Sequence, residues 1–255
     1  MGALTGRTIA LTGASKGIGA ASAALLASRG AHVIAHYASD RAGAKAALAG
    51  VPPERVRLIQ ADFNDPAAAT RFWAEAEAWR GRVDVLVNNA AVMRLGGGIE
   101  AADDAWDAVW DEAIRVNLLA PARLARAAVR HFLSQGGGTL ITLSSWVVHR
   151  GASMPDGIAY AATKAALTAA TKTIARTYAR QGVLAYCVAP GVVRTRMSED
   201  SALVLGGEAA VSAGLALGEW VPPEEVAAVV AFLAEGRVRH LTGATIDING
   251  ASYVR

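Results

Sequence analysis

Short apolar segments alternate with longer, alanine-rich segments along the 255 residues of this chain. The apolar segments predict strands near 7–12, 31–37, 55–61, 83–87, 138–144, 183–189 and 244–248. The segments between them have helical periodicity and predict helices near 17–29, 40–49, 66–80, 103–134, 157–181 and 223–235. Because the strands carry few polar residues, we expect both faces of each to be covered, as in a parallel sheet built from βαβ units.

This alternation predicts an α/β protein with one doubly wound parallel sheet of about seven strands and helices on both faces, a Rossmann fold. Because no linker or repeat interrupts the alternation, we assign residues 1–255 to a single domain. The segment 192–222 is the only long one without a clear helical or strand pattern, and we interpret it as a lid beside the ligand crevice.

Composition narrows the possible functions. Hydrophobic residues make up 53% of the chain and the formal net charge is only +3, with scattered basic residues, which argues against nucleic acid or a membrane surface as partner. A single cysteine, Cys187, excludes an internal disulfide and lies in an apolar run that predicts a buried thiol. With neither a signal peptide nor an apolar run of about 20 residues, we expect a cytoplasmic protein.

Three glycines, Gly13, Gly17 and Gly19, lie between the first predicted strand and the first predicted helix. In such a turn, backbone N–H groups and the positive end of the helix dipole point toward one place, which favours a bound phosphate. The spacing differs from the general dinucleotide motif, and a tight turn alone can also require glycine. We predict cofactor contacts for the turn residues Gly13, Ser15, Lys16, Gly17, Ile18 and Gly19.

The end of the second strand bears on the choice of nucleotide. An acidic residue there normally holds a ribose diol and repels an added phosphate, but this strand ends at Tyr37 and the first acid after it is Asp40. Lys16 and Arg41 add positive charge, so NADP is favoured over NAD unless both are merely solvated surface charges. Tyr37 and Arg41 are predicted to contact the cofactor. At the ends of the next two strands, Asp62, Phe63, Asn89 and Ala90 are predicted to line the same crevice.

Tyr160 and Lys164 lie four residues apart in a predicted helix, so their side chains share one face. A phenol with its ordinary pKa near 10 needs a drop of about three units, about 4 kcal/mol, to act as a poised acid and base near neutral pH. An ammonium about 4 Å away supplies about that much at an effective dielectric constant of 20. We therefore predict that Lys164 lowers the pKa of Tyr160, although the same spacing also occurs on ordinary surface helices.

Six motifs in order resemble the short-chain dehydrogenase/reductase family, particularly its 3-oxoacyl-[acyl-carrier-protein] reductase-like members. They are T-G-A-S-K-G-I-G at 12–19, N-N-A at 88–90, Asn117, S-S at 144–145, Y-A-A-T-K at 160–164 and P-G at 190–191. The resemblance spans essentially the whole chain. It implies an NAD(P)-dependent oxidoreductase that acts on a carbonyl or a secondary alcohol, with 3-oxoacyl thioesters among the candidate substrates.

The resemblance also implies individual roles. Tyr160 would be the catalytic acid or base, and Lys164 would hold the nicotinamide ribose. Ser145, rather than its neighbour Ser144, would bind the substrate carbonyl, and Asn117 would hold a water for proton relay. Contacts to the nicotinamide carboxamide and the phosphates are implied for Pro190, Gly191, Val193 and Thr195.

The chain departs from the family pattern at Ala91, Tyr186 and Ala251, and its segment 145–160 is about two residues longer than usual. We predict that the substrate pocket contains Val92, Met93, Trp146, His149, Arg150, Met154 and Met197. Arg150 would meet an anionic substrate group, although an arginine in a loop is usually only solvated.

The helices that carry Trp106 to Leu133 and Tyr160 to Tyr178 resemble the family's usual dimer face, which implies a homodimer or homotetramer. The histidines lack metal-ligand spacing, so we predict no metal site and assign the other histidines, His32, His36, His131 and His240, to structural or surface roles. Two alternative functions remain: an NAD-dependent sugar or polyol dehydrogenase, and a nucleotide-sensing regulator without catalysis.

Overall fold

The computed structural model describes residues 2–255, which form a seven-stranded, wholly parallel sheet. The strands are β1 (Thr8–Leu11), β2 (His32–Tyr37), β3 (Val56–Gln60), β4 (Val85–Asn88), β5 (Gly138–Leu143), β6 (Val183–Pro190) and β7 (Thr245–Ile248). The helices are α1 (Gly17–Ser28), α2 (Arg41–Ala47), α3 (Ala68–Arg80), α4 (Asp103–Ala113), α5 (Ala120–Ser134), α6 (Val147–Arg150), α7 (Ile158–Tyr178), α8 (Arg196–Val204), α9 (Glu208–Ala213) and α10 (Pro223–Ala234). The predicted Rossmann fold is confirmed.

The strand order β3-β2-β1-β4-β5-β6-β7 reverses direction between β1 and β4. In a doubly wound sheet, the crossovers leave this point in opposite directions and open a crevice at the carboxyl ends of the two strands. Thr12 and Asn89 lie at these ends and meet there, because the backbone N–H of Asn89 donates to Thr12 Oγ1 at 2.9 Å. The ligand crevice is therefore expected beside these two residues.

Alternate residues of each strand enter opposite layers of the core, as strand geometry requires. Ile9 and Leu11 of β1 belong to the layer under α1 and α10, whereas Ala10 belongs to the layer under α3 and α5. Both faces of the central strands are thus buried, which accounts for their nearly continuous apolar sequence.

Two predicted segments differ in the structure. The predicted helix 103–134 is divided by a π-helical turn, Ile114–Leu119, which separates α4 from α5. The segment 192–222, predicted to lack regular structure, contains α8 and α9. The prediction was wrong because both helices are short and expose much of their surface, which weakens the apolar periodicity. Among residues 2–255, no helix has both the length and the apolar character needed to cross a membrane.

Candidate active site

A cleft of about 780 Å³ lies at the carboxyl ends of the central strands. Its volume is in the range of small-molecule and cofactor sites. Among the predicted cofactor-binding residues, those that line it are Gly13, Ser15, Lys16, Gly17, Ile18, Gly19, Asp62, Phe63, Asn89, Ala90, Tyr160, Lys164, Pro190, Gly191, Val193 and Thr195. Ser145, Val92 and Met197 line it as well. The fold therefore brings most of the predicted residues to one place.

The glycine turn between β1 and α1 is packed too closely for side chains. A Cβ on Gly19 would lie 1.8 Å from the carbonyl oxygen of Gly13, and one on Gly17 would lie 2.8 Å from Thr195 Cγ2. Gly13 and Gly17 also have positive φ angles, 71° and 53°, which favour glycine. The Asn89 side chain supports the turn because its Nδ2 donates to the carbonyl oxygens of Thr12 and Gly13. Backbone thus forms this wall of the cleft and fits the close approach of a phosphate.

His36 is a cleft residue whose position the sequence did not reveal. Its Nδ1 accepts from the backbone N–H of Gly13 at 2.9 Å, and its Nε2 donates to the carbonyl oxygen of Ala61 at 2.8 Å. The ring stacks on Phe63 with the centroids 4.2 Å apart. These bonds require a neutral ring, and burial lowers the pKa of His36 to about 4. His36 therefore joins the glycine turn to the segment after β3.

Acid is expected to destabilise the protein through His36. Below pH 6.5 the unfolded chain protonates this histidine, whereas the folded protein excludes the proton until about pH 4. The free energy of unfolding therefore loses about 3 kcal/mol from this group as the pH falls from 7 to 4. Urea titrations at several pH values should show a shallower decline for His36→Asn than for the wild type. Parallel declines would contradict the assignment.

The end of β2 differs from the sequence prediction. Tyr37 and Arg41, although both lie in the described part of the chain, do not line the cleft, whereas Ala38, Ser39 and Asp40 do. Tyr37 is the last residue of β2, and Arg41 is the first residue of α2, where it is exposed. The chain turns after Tyr37 before it reaches the cleft, and the cofactor contacts of Tyr37 and Arg41 stay predictions.

Asp40 brings a carboxylate to the cleft, and one of its two oxygens is already hydrogen-bonded within the protein. Its Oδ1 accepts the backbone N–H of Gly43 at 2.7 Å and caps α2. The Asp40 carbonyl accepts from the Ser15 hydroxyl at 2.7 Å, which ties the start of α2 to the glycine turn. Lys16 is the predicted basic residue that does line the cleft.

Tyr160 and Lys164 both enter the cleft from the first turns of α7. Tyr160 is partly exposed to the cleft, whereas Lys164 is 3% exposed. Lys164 Nζ donates to the carbonyl oxygen of Leu143 at 2.6 Å and lies 5.6 Å from the centroid of the Tyr160 ring. Burial lowers the pKa of Lys164 to about 8.

The predicted lowering of the Tyr160 pKa by Lys164 is wrong for the structure described. Burial raises the pKa of Tyr160 to about 12, and the opposing effect of a hydrogen bond with Ser145 is smaller. The ammonium of Lys164 is directed to Leu143 rather than to the phenol oxygen. The phenol of Tyr160 therefore carries its proton at neutral pH.

Asn117 lies in the π-helical turn between α4 and α5, where it is 1% exposed. Its Oδ1 accepts from the backbone N–H of Val92 and its Nδ2 donates to the Val92 carbonyl oxygen, both at 2.8 Å. A longer contact of 3.4 Å joins Nδ2 to Thr163 Oγ1. Within residues 2–255, Asn117 is not among those that line the cleft. Its side chain fixes the segment after β4, which carries Val92 into the cleft.

Five predicted substrate-pocket residues, Met93, Trp146, His149, Arg150 and Met154, lie in the described chain but outside the lining of the cleft. The Arg150 guanidinium lies over the Trp146 ring, 4.4 Å from its centroid, and the His149 ring is parallel to that of Tyr253. Helix α6 turns this part of the segment 145–160 toward the C-terminal residues, and the substrate contacts of these five residues stay predictions.

The sequence also gave no sign of an ion pair that lines the cleft. Arg94 after β4 forms two hydrogen bonds with Glu112 of α4, at 2.7 and 2.8 Å, and both residues line the cleft. The hydrogen bond from Arg94 lowers the pKa of Glu112. Eighteen positions separate the two residues, so no local motif indicated the pair. The pair joins the segment after β4 to α4 beside the cleft.

Comparisons with known proteins agree with the geometry. A family model described as enoyl-(acyl carrier protein) reductase matches residues 13–251. Oxidoreductase UcpA of Salmonella typhimurium is 33% identical over 99% of this chain and 96% of its own length. The 3-oxoacyl-[acyl-carrier-protein] reductase FabG of Escherichia coli is 34% identical over 98% of each chain. A short-chain dehydrogenase from Burkholderia cenocepacia, solved in complex with NADP, is 31% identical and superposes with a TM-score of 0.86 over 98% of each chain.

Proposed function

Because this chain belongs to the short-chain dehydrogenase/reductase family of NAD(P)-dependent oxidoreductases, we propose that it transfers a hydride between NADP(H) and a small-molecule carbonyl or secondary alcohol. The observation that carries the proposal is the shared cleft: the glycine turn, Ser145, Tyr160 and Lys164 all line it. A nucleotide held by the turn and a carbonyl held beside Tyr160 would therefore lie next to each other.

Each part of the cleft has one task in the proposed reduction. The glycine turn would bind the phosphates, Lys164 the nicotinamide ribose, and the segment of Pro190, Gly191 and Val193 the carboxamide. When bound, the reduced nicotinamide supplies the hydride. Ser145 would hold the substrate carbonyl oxygen by a hydrogen bond, and Tyr160 would donate its phenolic proton to that oxygen.

The raised pKa of Tyr160 means that at neutral pH the phenol carries the proton that an alkoxide product needs. A proton donor whose pKa is near 12 gives little driving force for transfer to an ordinary carbonyl. It transfers readily to the strongly basic oxygen that develops during reduction.

The proposal is tested by following NADPH absorbance in the presence of ketones, 3-oxoacyl thioesters, sugars and quinones. We expect NADPH-dependent turnover with at least one ketone or 3-oxoacyl thioester. NADPH binding without turnover of any carbonyl would favour the nucleotide-sensing regulator. Turnover confined to sugars or polyols with NAD would favour the alternative dehydrogenase.

NADPH is expected to bind at least about ten times more tightly than NADH, which corresponds to about 1.4 kcal/mol. The preference is supported by Lys16, which lines the cleft, whereas the Asp40 carboxylate opposes it although its Oδ1 caps α2. Fluorescence titration with each nucleotide measures it. Lys16→Ala should weaken NADPH binding more than NADH binding, and equal or tighter binding of NADH by the wild type would contradict the preference.

The proposal extends to the state of the protein in the cell. We propose a homo-oligomer, a dimer or tetramer, that forms through α4, α5 and α7.

Cys187 is fully buried, and burial raises the pKa of its thiol, so this cysteine is not a reactive surface thiol. An unpaired cysteine fits the reducing cytoplasm, which is the proposed location.

A further inference from the structure

Two buried pairs of hydroxyl groups join α7 to β5 and the residue after it. The Ser144 Oγ lies 2.6 Å from Thr168 Oγ1, and the Thr142 Oγ1 lies 2.8 Å from Thr171 Oγ1. All four side chains are at most 4% exposed. Thr168 and Thr171 are three residues apart on the helix, and Thr142 and Ser144 are two apart on the strand, so each set shares one face.

The proton of each hydroxyl can be assigned by counting. Thr168 Oγ1 donates to the carbonyl oxygen of Lys164 at 2.8 Å, which uses its only proton. Ser144 must therefore donate to Thr168. By the same reasoning, Thr171 donates to the Leu167 carbonyl oxygen at 2.9 Å, so Thr142 must donate to Thr171.

Only one of these pairs is connected to the active site. Ser144 lies between Ser145 and Leu143, whose carbonyl oxygen accepts from Lys164 Nζ. These contacts form a closed ring. Ser144 bonds to Thr168, which bonds to the Lys164 carbonyl, and the Lys164 ammonium bonds to Leu143, which one peptide bond joins to Ser144. The Thr142–Thr171 pair has the same chemistry but bonds to the carbonyl oxygen of Leu167, a buried apolar residue.

We propose that Ser144 and Thr168 are positioning residues that hold α7 against β5, so that Lys164 and Ser145 keep their places for proton transfer from Tyr160. The inference deepens the proposed function and rests on it for the catalytic roles. Ser144 lines the cleft, but its hydroxyl is bonded to Thr168, and Thr168 lies one turn beyond Lys164. Both residues thus act through Lys164 and Ser145.

The test compares Thr168→Val with Thr168→Ser. Valine keeps the branched shape and removes the hydroxyl, which leaves Ser144 without its acceptor, whereas serine keeps the hydroxyl. We expect Thr168→Val to lower kcat at least about ten-fold while KM and the NADPH dissociation constant change less than about three-fold, because misplaced groups mainly affect the chemical step. Thr168→Ser should recover kcat to within about three-fold of the wild type.

Thr171→Val and Thr171→Ser provide the matched control, because they alter an equally buried hydroxyl pair three residues further along the same helix. Thr171→Val should lower the melting temperature about as much as Thr168→Val but leave kcat within about three-fold of the wild type. A common loss of kcat in both valine variants would indicate general destabilisation and overturn the proposal. So would unchanged kcat in Thr168→Val.

Titration of the Lys164 ammonium by NMR provides a readout that does not need turnover. Thr168→Val should raise the pKa of Lys164 from its lowered value, because a displaced ammonium is better solvated, and Thr171→Val should not. If the wild type turns over none of the carbonyls, the proposed function fails. This titration alone then shows whether Thr168 holds Lys164 in place. An unchanged Lys164 titration in Thr168→Val would overturn the positioning even in an active enzyme.

Discussion

Replacing Tyr160 with phenylalanine is expected to lower kcat about a thousand-fold and to leave the NADPH dissociation constant within about three-fold of the wild type, the range for loss of a general acid. The ring would keep its place at the start of α7, and only the phenolic hydroxyl would be lost. Because burial raises the pKa of Tyr160 to about 12, this hydroxyl carries its proton at neutral pH. It is the proposed proton donor, and it lines the cleft together with Ser145.

Steady-state kinetics with the best carbonyl substrate measure kcat, and a fluorescence titration with NADPH measures the dissociation constant. Tyr178→Phe is the matched control, because Tyr178 ends the same helix and packs against the core instead of lining the cleft. Its kcat should match that of the wild type. Turnover of Tyr160→Phe at the wild-type rate would refute Tyr160 as the donor.

Gly19→Ala is expected to weaken NADPH binding at least about a hundred-fold, equivalent to nearly 3 kcal/mol. The added Cβ would lie 1.8 Å from the Gly13 carbonyl oxygen and 2.7 Å from Asn89 Nδ2, so the glycine turn must open. Opening it would also disturb the bond between the Gly13 N–H and His36. The N–H groups that would face the phosphates would then no longer converge.

Calorimetric titration with NADPH checks the affinity, and urea unfolding checks how much stability is lost with it. Gly214→Ala is the control, because the nearest atom to its new Cβ is the Val211 carbonyl oxygen at 3.5 Å, an ordinary contact. Gly214 also has a φ of −86°, which alanine adopts readily. Wild-type affinity in Gly19→Ala would show that the turn does not bind the phosphates.

The sheet was predictable because its strands are buried on both faces. Each of the seven apolar runs became a strand whose ends agree with the prediction to within two residues, and all pair in parallel. The glycine turn and Ser145 were predictable at one cleft, since residues at the carboxyl ends of parallel strands meet at one edge. The places of Tyr160 and Lys164, which lie on α7, followed from the family resemblance.

The directions of side chains in the segments that follow the strands could not be predicted from hydrophobic patterns. Arg41 and Arg150 are basic residues near the expected sites, yet neither lines the cleft within the described chain. The turn after β2 displaces Arg41, and α6 places Arg150 over Trp146. Both outcomes depend on how a connecting segment turns, which hydrophobic periodicity does not record.

By itself, the sequence determined the order of strands and helices, the parallel sheet and the edge of the sheet where the candidate functional residues meet. It did so because local patterns of apolar and polar residues depend on which faces of each strand and helix are buried. Only the tertiary structure decided the protonation of those residues. Spacing predicted that Lys164 would lower the pKa of Tyr160, whereas burial raises it and the ammonium bonds to Leu143. The pKa of a buried group depends on every atom around it, and for Tyr160 and His36 those atoms come from distant parts of the chain.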